Sequence, residues 1–199
     1  METHDTIREF WFCTSTDDVL VAREQARLWW TKHPETDALI RERFEPWLAK
    51  AVNHELDAWE GTPTGRLALI LLTDQFSRNM YRDTPRAFAS DPLALAWCKK
   101  GLQQNVDAQL RPIERVFFYL PLEHSESLAD QDEASARFKK LVGGLDPERR
   151  PAFEGFLDYA RRHREVIKRF GRFPHRNRIL GRESTPEEVF FLLQPGSSF

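Results

Sequence analysis

Residues 63–80 have the sequence PTGRLALILLTDQFSRNM, which predicts the central helix of the protein. Thr62 precedes Pro63, and a capping side chain before a proline at the first helical position is a common beginning of a helix. The residues from Leu67 to Leu72 are apolar all round the helix, which is typical of a helix buried on every side. The helix becomes polar at Asp74, and buried charged groups need partners, so this helix is also where a site is expected.

The same signals predict helices on both sides of this segment. Capping residues precede proline again at Thr84, Asp91, Asp146 and Thr185, and the predicted helices span about residues 63–80, 91–104, 112–127, 129–142, 147–170 and 185–193. Earlier helical patterns cover about residues 6–12, 19–30 and 36–59, the first beginning at a capping box that starts at Thr6. Strand-type alternation is nearly absent, so the prediction is an all-α array of antiparallel pairs with eight or nine helices.

Length and composition limit the class of protein. A chain of 199 residues with 41% hydrophobic residues and no Pro-rich or Ser/Gly-rich linker is predicted to form one domain over residues 1–199. No apolar run approaches the roughly 20 residues of a membrane span, and the N-terminus lacks a signal-peptide pattern. Only Cys13 and Cys98 are present, too few for a disulfide framework or a zinc site, so the cytoplasm is the expected compartment.

Charge and motif searches exclude several function classes. The net charge is −2, although eleven Lys/Arg and only three acids fall between Arg149 and Arg182. No helix-turn-helix or zinc pattern accompanies that basic segment, which argues against nucleic acid as a partner. The metal-binding Glu-x-x-His and His-Glu-x-x-His patterns and the glycine-rich phosphate loops are absent, so no metal and no cofactor is expected.

Three segments contain the candidate functional residues. They are the polar half of the central helix, the end of the helix that carries the apolar stripe of residues 113–120, and the surroundings of Gly171, where a long helix is expected to end. Their candidate residues are Asp74, Arg78, Asn79, Glu123, His124, Glu126, His163, Arg172, His175, Arg176 and Asn177.

These residues have a functional and a structural interpretation. If the segments meet, their arginines are forked donors suited to carboxylate or phosphate, and their histidines can transfer protons near neutral pH. In the structural interpretation, the arginines bond the free carbonyls of helix ends, Asp74 and Arg78 form an ion pair, and inward histidines are hydrogen-bonded core residues.

Six motifs resemble one bacterial family. They are LALILLTDQFSRN at 67–79, TPRAFA at 84–89, FYLPLEHSE at 118–126, RFGRFPHRN at 169–177, LGRESTPEE at 180–188 and PGSSF at 195–199. Over about residues 7–199 the chain is similar to the family catalogued as domain of unknown function 924, except that Ser77 replaces a proline usual there. The resemblance implies a tetratricopeptide-like α-α superhelix, and it implies no activity and no catalytic residues.

Three hypotheses about function remain open. The first is a binding module whose Arg- and His-lined pocket takes an anionic ligand, either a small metabolite or a peptide or protein segment. The second is an enzyme acting on a phosphate or carboxylate, with His124 or His175 as general acid/base and Glu123 or Glu126 orienting it. The third is a homo-oligomeric scaffold. Under any of the three, the tail Pro195–Phe199 is expected to dock onto the body or onto a neighbouring chain.

Overall fold

The protein is described here by a computed structural model that covers residues 2–197. Helices of all types make up 72% of the described residues, which include nine α-helices of seven or more residues and no strand. The all-α prediction is confirmed, whereas the tetratricopeptide-like superhelix stays a prediction. None of the helices within residues 2–197 has the length and apolar character required to cross a bilayer.

The α-helices are connected by short turns and 3₁₀ segments. In chain order they are α1 (His4–Phe12), α2 (Asp18–Glu24), α3 (Ala26–Trp30), α4 (Pro34–Val52), α5 (Pro63–Ile70), α6 (Ser77–Met80), α7 (Asp91–Gln103), α8 (Pro112–Glu123), α9 (Leu128–Gly143), α10 (Pro151–Phe170) and α11 (Pro186–Leu192). The 3₁₀ segments are Asp57–Gly61, Pro85–Phe88, Val106–Gln109 and Pro174–Arg176.

The predicted central helix exists, and it contains one wide turn. A π-helical stretch, Leu71–Phe76, joins α5 to α6 in a continuous rod. The Thr62 hydroxyl accepts the Gly65 amide at 3.1 Å, as a cap does, and the apolar stretch that follows is fully buried. π-Helical turns are rare and frequently lie at functional sites, and here the turn contains the polar residue Asp74.

Several predicted boundaries were wrong for local reasons. Helix α1 begins at His4, because the capping box is formed by Thr3 and Thr6 rather than beginning at Thr6. The segment 19–30 is two helices that meet at Gln25. Helix α4 ends at Val52, because His54 has a left-handed φ of 62° and the Glu55 amide bonds back to an earlier carbonyl.

Aromatic side chains form the centre of the core. Phe117 of α8 lies 4.7 Å from the Trp29 ring and 5.6 Å from the Trp11 ring, measured between centroids, and Trp11 lies 5.2 Å from Phe76 of the rod. Helix α9 packs against both α8 and α10, which the short connections make antiparallel neighbours. This packing brings the polar end of the rod, the end of α8 and the segment after α10 to one region.

The C-terminal tail is described only as far as Ser197. The Ser197 hydroxyl donates to the Leu192 carbonyl at 3.1 Å, which returns the start of the tail to α11. The prediction that the tail Pro195–Phe199 docks onto the body or onto a neighbouring chain falls partly outside the described residues, which end before Ser198 and Phe199.

Candidate functional site

Asp74 is the deepest charged group of the site. It lies in the π-helical turn, and its side chain is 0% exposed. Its Oδ1 is 2.7 Å from Nδ1 of His124 and 3.1 Å from Nη1 of Arg78, while the Gln75 amide donates to its Oδ2. Burial acts to raise the pKa of Asp74, but Arg78 and His124 outweigh it and hold the pKa below its ordinary value. Asp74 is therefore an ionised hydrogen-bond acceptor at the centre of the site.

His124 is fixed by the end of α8. It is the C-terminal capping residue of that helix, and its backbone amide donates to the Leu120 carbonyl at 2.8 Å. Because an ionised carboxylate only accepts hydrogen bonds, Asp74 requires the proton of the imidazole to be on Nδ1. Burial lowers the pKa of His124 more than Asp74 raises it, so the imidazole is held in its neutral form.

Arg78 is bound by two carboxylates. Besides Asp74 it contacts Asp91, with Nη1–Oδ1 and Nη2–Oδ2 distances of 2.9 Å each, a bidentate pair. The sequence pattern predicted Asp91 as the capping residue of its helix. That assignment was wrong, because Ser90 holds the cap position and the Asp91 carboxylate is used by Arg78. The donors that face Asp91 are therefore occupied within the protein.

Arg176 has a different environment from Arg78. It lies in the 3₁₀ turn Pro174–Arg176, after α10 ends at Gly171 with a left-handed φ of 68°. Its guanidinium carbon is 4.5 Å from the Phe173 ring centre and 4.7 Å from that of Phe88. Among the described residues, its Nε has no hydrogen-bond partner and its one ion-pair contact is Asp91 at 3.6 Å. Arg176 is thus a buried cation, 7% exposed, with unused donors.

A second pair of ionisable groups, Glu123 and His163, lies next to His124. Glu123 Oε1 is 3.1 Å from Nδ1 of His163, and the same nitrogen is 2.9 Å from the Tyr159 carbonyl. Burial raises the pKa of Glu123 to about 8 and lowers the pKa of His163 to about 3. Both groups are therefore uncharged near pH 7. The His163 ring is 6.3 Å from the His124 ring and 5.5 Å from Phe173.

His175 completes the cluster of imidazoles. Its ring centre is 5.5 Å from that of Phe173, and burial, assisted by the charge of Arg176, lowers its pKa to about 3. Burial also lowers the pKa of Arg176 itself, to about 10, which leaves the guanidinium charged. Near neutral pH the cluster therefore combines uncharged histidines with charged aspartates and arginines.

The three segments meet, but not all their candidate residues join the cluster. Those brought together are Asp74, Arg78, Glu123, His124, His163, His175 and Arg176. Asn79 donates instead to Asp37 at 2.8 Å. Arg172 forms a bidentate pair with Glu188, at 2.6 and 2.8 Å, and the Asn177 amide also donates to Glu188, so these residues fasten α11.

Glu126 borders the cluster and fastens the segment after α10. Its carboxylate accepts two hydrogen bonds from Arg182, at 2.7 and 3.0 Å, and the Phe173 backbone amide at 2.8 Å. The enzyme hypothesis assigned Glu123 or Glu126 to orient a catalytic histidine. For His124 that assignment was wrong, because the carboxylate bonded to it is Asp74.

Three residues of the site were not predicted. Asp91 was assigned to a cap, and Phe88 and Phe173 were not among the candidate residues. The spacing of Phe173 and Arg176, three apart in a turn, is the one sequence signal that indicates a ring beside a guanidinium. Phe88 and Asp91 come from other parts of the chain, and no local pattern places them there.

Two surface depressions lie away from the cluster. One of about 400 Å³ is lined by Glu60, Arg66 and Lys100 among others, and one of about 340 Å³ by Arg115, Lys140 and Arg149 among others. Their cations are partly paired already, as in the 2.6 Å contact between Lys100 and Glu60. No group of three or more His, Cys, Asp or Glu residues within residues 2–197 is arranged to hold a metal ion.

Because Glu123 is protonated in the folded protein near pH 7, the free energy of unfolding should depend on pH. In the unfolded chain this carboxyl ionises near its ordinary pKa of 4.5, whereas in the folded protein it ionises near 8. The folded state therefore binds more protons between these values, and the stability that Glu123 contributes is lost as the pH rises through that window. Glu123→Gln is neutral at every pH, so its free energy of unfolding relative to wild type should increase between about pH 5 and pH 8.

Urea unfolding at several pH values in that range measures this difference. His163 titrates in wild type and variant alike, so its opposite contribution cancels in the comparison to first order. A difference between Glu123→Gln and wild type that stays constant over the range would show that Glu123 is ionised in the folded protein.

Comparison with known proteins agrees with the resemblance found in the motifs. A family model described as "Bacterial protein of unknown function (DUF924)" matches residues 7–196. A solved structure of a protein of unknown function from Agrobacterium tumefaciens is 35% identical, with a TM-score of 0.81 over 96% of this chain and 96% of that chain. No curated protein matches the chain. The matches confirm the family and the fold, and they bring no activity with them.

Proposed function

The chain belongs to the DUF924 family of bacterial proteins of unknown function, and we propose that this member binds a small anionic molecule at Arg176. The observation that supports this most is the guanidinium itself. It is buried, it is charged at neutral pH, and its Nε has no hydrogen-bond partner among the described residues. Leaving a buried charged donor without partners costs free energy, so such a group in a folded protein calls for an explanation.

A carboxylate or phosphate supplies what Arg176 lacks. Either group offers oxygen pairs that match the forked donors of a guanidinium. The rings of Phe88 and Phe173 hold the guanidinium in place, so little side-chain entropy remains to be lost when the ligand binds. The side chains of Arg78, Asp91 and His124 are each between 16% and 21% exposed, so the cluster reaches solvent. Such limited exposure favours a small molecule over a peptide or protein segment.

We also propose that the protein is located in the cytoplasm and that its helices form a tetratricopeptide-like superhelix. A reducing compartment is consistent with Cys13 and Cys98 both being free thiols. A helical array that forms a binding surface is consistent with the fold, and helical repeat proteins use such surfaces to bind ligands.

A thermal-shift screen tests the proposal. Phosphate, glycolate, citrate and phosphorylated sugars are titrated into wild type, Arg176→Gln and the matched control Arg178→Gln, whose arginine is exposed in the same segment. A ligand at one hundred times its Kd stabilises by about 2.7 kcal/mol, which raises Tm by about 5–10 °C for a chain of this size. Wild type and Arg178→Gln should respond, and Arg176→Gln should not.

Arg176→Gln is a suitable test variant because it removes the positive charge, and Nε of Arg176 has no hydrogen bond that the substitution could break. Circular dichroism should therefore show unchanged helical content. If no anion raises Tm, or if Arg176→Gln responds as wild type does, the proposed function is wrong.

A second candidate, an enzyme, is favoured by one contact. Asp74 bonds Nδ1 of His124 at 2.7 Å, and a buried carboxylate behind an imidazole orients many general acid/base histidines. In this candidate His124 transfers a proton to or from the anion bound at Arg176. A turnover screen on phosphate and carboxylate esters would support it if His124→Ala removes activity and His175→Ala does not, and turnover unchanged in His124→Ala would exclude it.

A further inference from the structure

His124 presents only one of its ring nitrogens to a ligand. Nδ1 donates to Asp74, whose carboxylate also accepts hydrogen bonds from Gln75 and pairs with Arg78. No partner for the opposite nitrogen, Nε2, is found among residues 2–197, and the side chain is 16% exposed. Whatever binds here therefore meets Nε2.

The surroundings of His124 decide whether Nε2 donates or accepts. Two charged groups of the central rod face the imidazole, Asp74 from the π-helical turn and Arg78 from α6. Arg176 faces it from the 3₁₀ turn and the neutral His163 from α10, and Glu123 precedes it in the chain at the end of α8. Burial and the two arginines outweigh the attraction of Asp74 and lower the pKa of His124. In the neutral ring with its proton on Nδ1, Nε2 has a lone pair and accepts a hydrogen bond.

Arg176 and this acceptor belong to one connected network. His124 and Arg78 share Asp74, and Arg78 and Arg176 share Asp91. The charge of Arg176 also acts on the imidazole of His124. Arg176 thus contributes a forked donor, and His124 an acceptor, to the same network.

We infer that His124 determines specificity by accepting a hydrogen bond, so the site takes an oxyanion that also carries a hydroxyl group. Hydrogenphosphate and α-hydroxycarboxylates have this chemistry, since an anionic oxygen pairs with Arg176 and the hydroxyl donates to Nε2. An anion without a hydroxyl places a lone pair against the lone pair of Nε2. This inference rests on the proposed function, because it names the class of ligand that the Arg176 site accepts.

Matched pairs of anions test the inference by isothermal titration calorimetry. Sulfate has the size of phosphate and no hydroxyl at pH 7, and acetate lacks the hydroxyl of glycolate. Leaving a buried polar group unpaired costs about 1–3 kcal/mol, which corresponds to about fivefold to 150-fold in affinity. Phosphate should bind more tightly than sulfate, glycolate more tightly than acetate, or both, and the pair that responds identifies the ligand class.

The outcomes separate this inference from the proposed function. If neither member of either pair binds, the anion site at Arg176 is wrong. If the members of a pair bind equally and Arg176→Gln abolishes both, the anion site stands and the role of His124 is wrong. In His124→Gln, the ratio of phosphate to sulfate affinity should fall towards one.

The tautomer of His124 is measured independently of any ligand. Long-range ¹H–¹⁵N correlation spectra of wild type, assigned with His124→Gln, should show Nδ1 protonated and Nε2 unprotonated at pH 7. The exposed His54 supplies an internal reference for an imidazole near solvent. A protonated Nε2 would overturn the inference even if the variant does not fold.

Discussion

Replacing Asp74 by alanine is expected to lower the free energy of unfolding by about 3–5 kcal/mol, the cost of breaking a buried ion pair. The fully buried carboxylate accepts from His124 and Gln75 and pairs with Arg78. Without it, the Nδ1 proton of His124 and the Gln75 amide lose their acceptor, and Arg78 keeps Asp91 and the backbone carbonyl of residue 74. The loss is larger than for most single substitutions because several buried donors lose one partner together.

Asp158→Asn is the matched control for this prediction. Asp158 also pairs with an arginine four residues away, Arg162 at 2.9 Å, but both side chains are more than half exposed. An exposed pair of this kind contributes about 0.3–0.5 kcal/mol, so the control should unfold at nearly the wild-type urea concentration. Equal losses for Asp74→Ala and Asp158→Asn would contradict the burial and the bonding described for Asp74.

Replacing Phe117 by alanine is expected to cost about 3–5 kcal/mol through the cavity that it leaves. The side chain is fully buried, and its ring centre lies 4.7 Å from Trp29, 5.3 Å from Phe12 and 5.6 Å from Trp11. Aromatic rings surround it on α1 and α3, so the core has little means of closing around the missing ring. Urea unfolding monitored by tryptophan fluorescence measures the loss.

Phe190→Ala is the control for the core prediction. Phe190 lies on α11 and is 65% exposed, so its removal leaves no cavity and should change the free energy of unfolding by less than about 0.5 kcal/mol. If Phe117→Ala is as stable as Phe190→Ala, Phe117 does not pack in the centre of the core as described.

The sequence predicted the helices whose signals are local. The rod from Pro63, the start of α11 at Thr185 and the end of α10 at Gly171 each have a cap or a glycine that acts within a few residues. The π-helical turn was not predicted, because no residue type within 71–76 distinguishes it from an α-helix. The end of α4 was not predicted because it depends on a left-handed backbone conformation at His54. Glycine is the residue usually expected in that conformation, so the sequence placed the helix end at the next glycine.

The candidate site was predicted in outline and not in its pairings. Inward faces of helices indicated that Asp74, His124 and His163 point into the protein. Asp74 and His163 are buried, whereas the His124 side chain is 16% exposed. Which carboxylate meets which arginine depends on the approach of distant segments, so Asp91 beside Arg78 and Glu188 beside Arg172 could not be derived from spacing. The same limit applies to Arg176, whose lack of a hydrogen-bond partner at Nε is visible only when the surrounding segments are in place.

A crystal structure of the protein grown or soaked in arsenate tests the anion site most directly. Arsenate has the charge and the protonated oxygens of phosphate, and its anomalous scattering locates it without ambiguity. We expect an anomalous peak whose oxygens lie within hydrogen-bond distance of Arg176 and of Nε2 of His124. A well-diffracting crystal in which Arg176 has no anion beside it, or in which arsenate binds only elsewhere, would contradict the account.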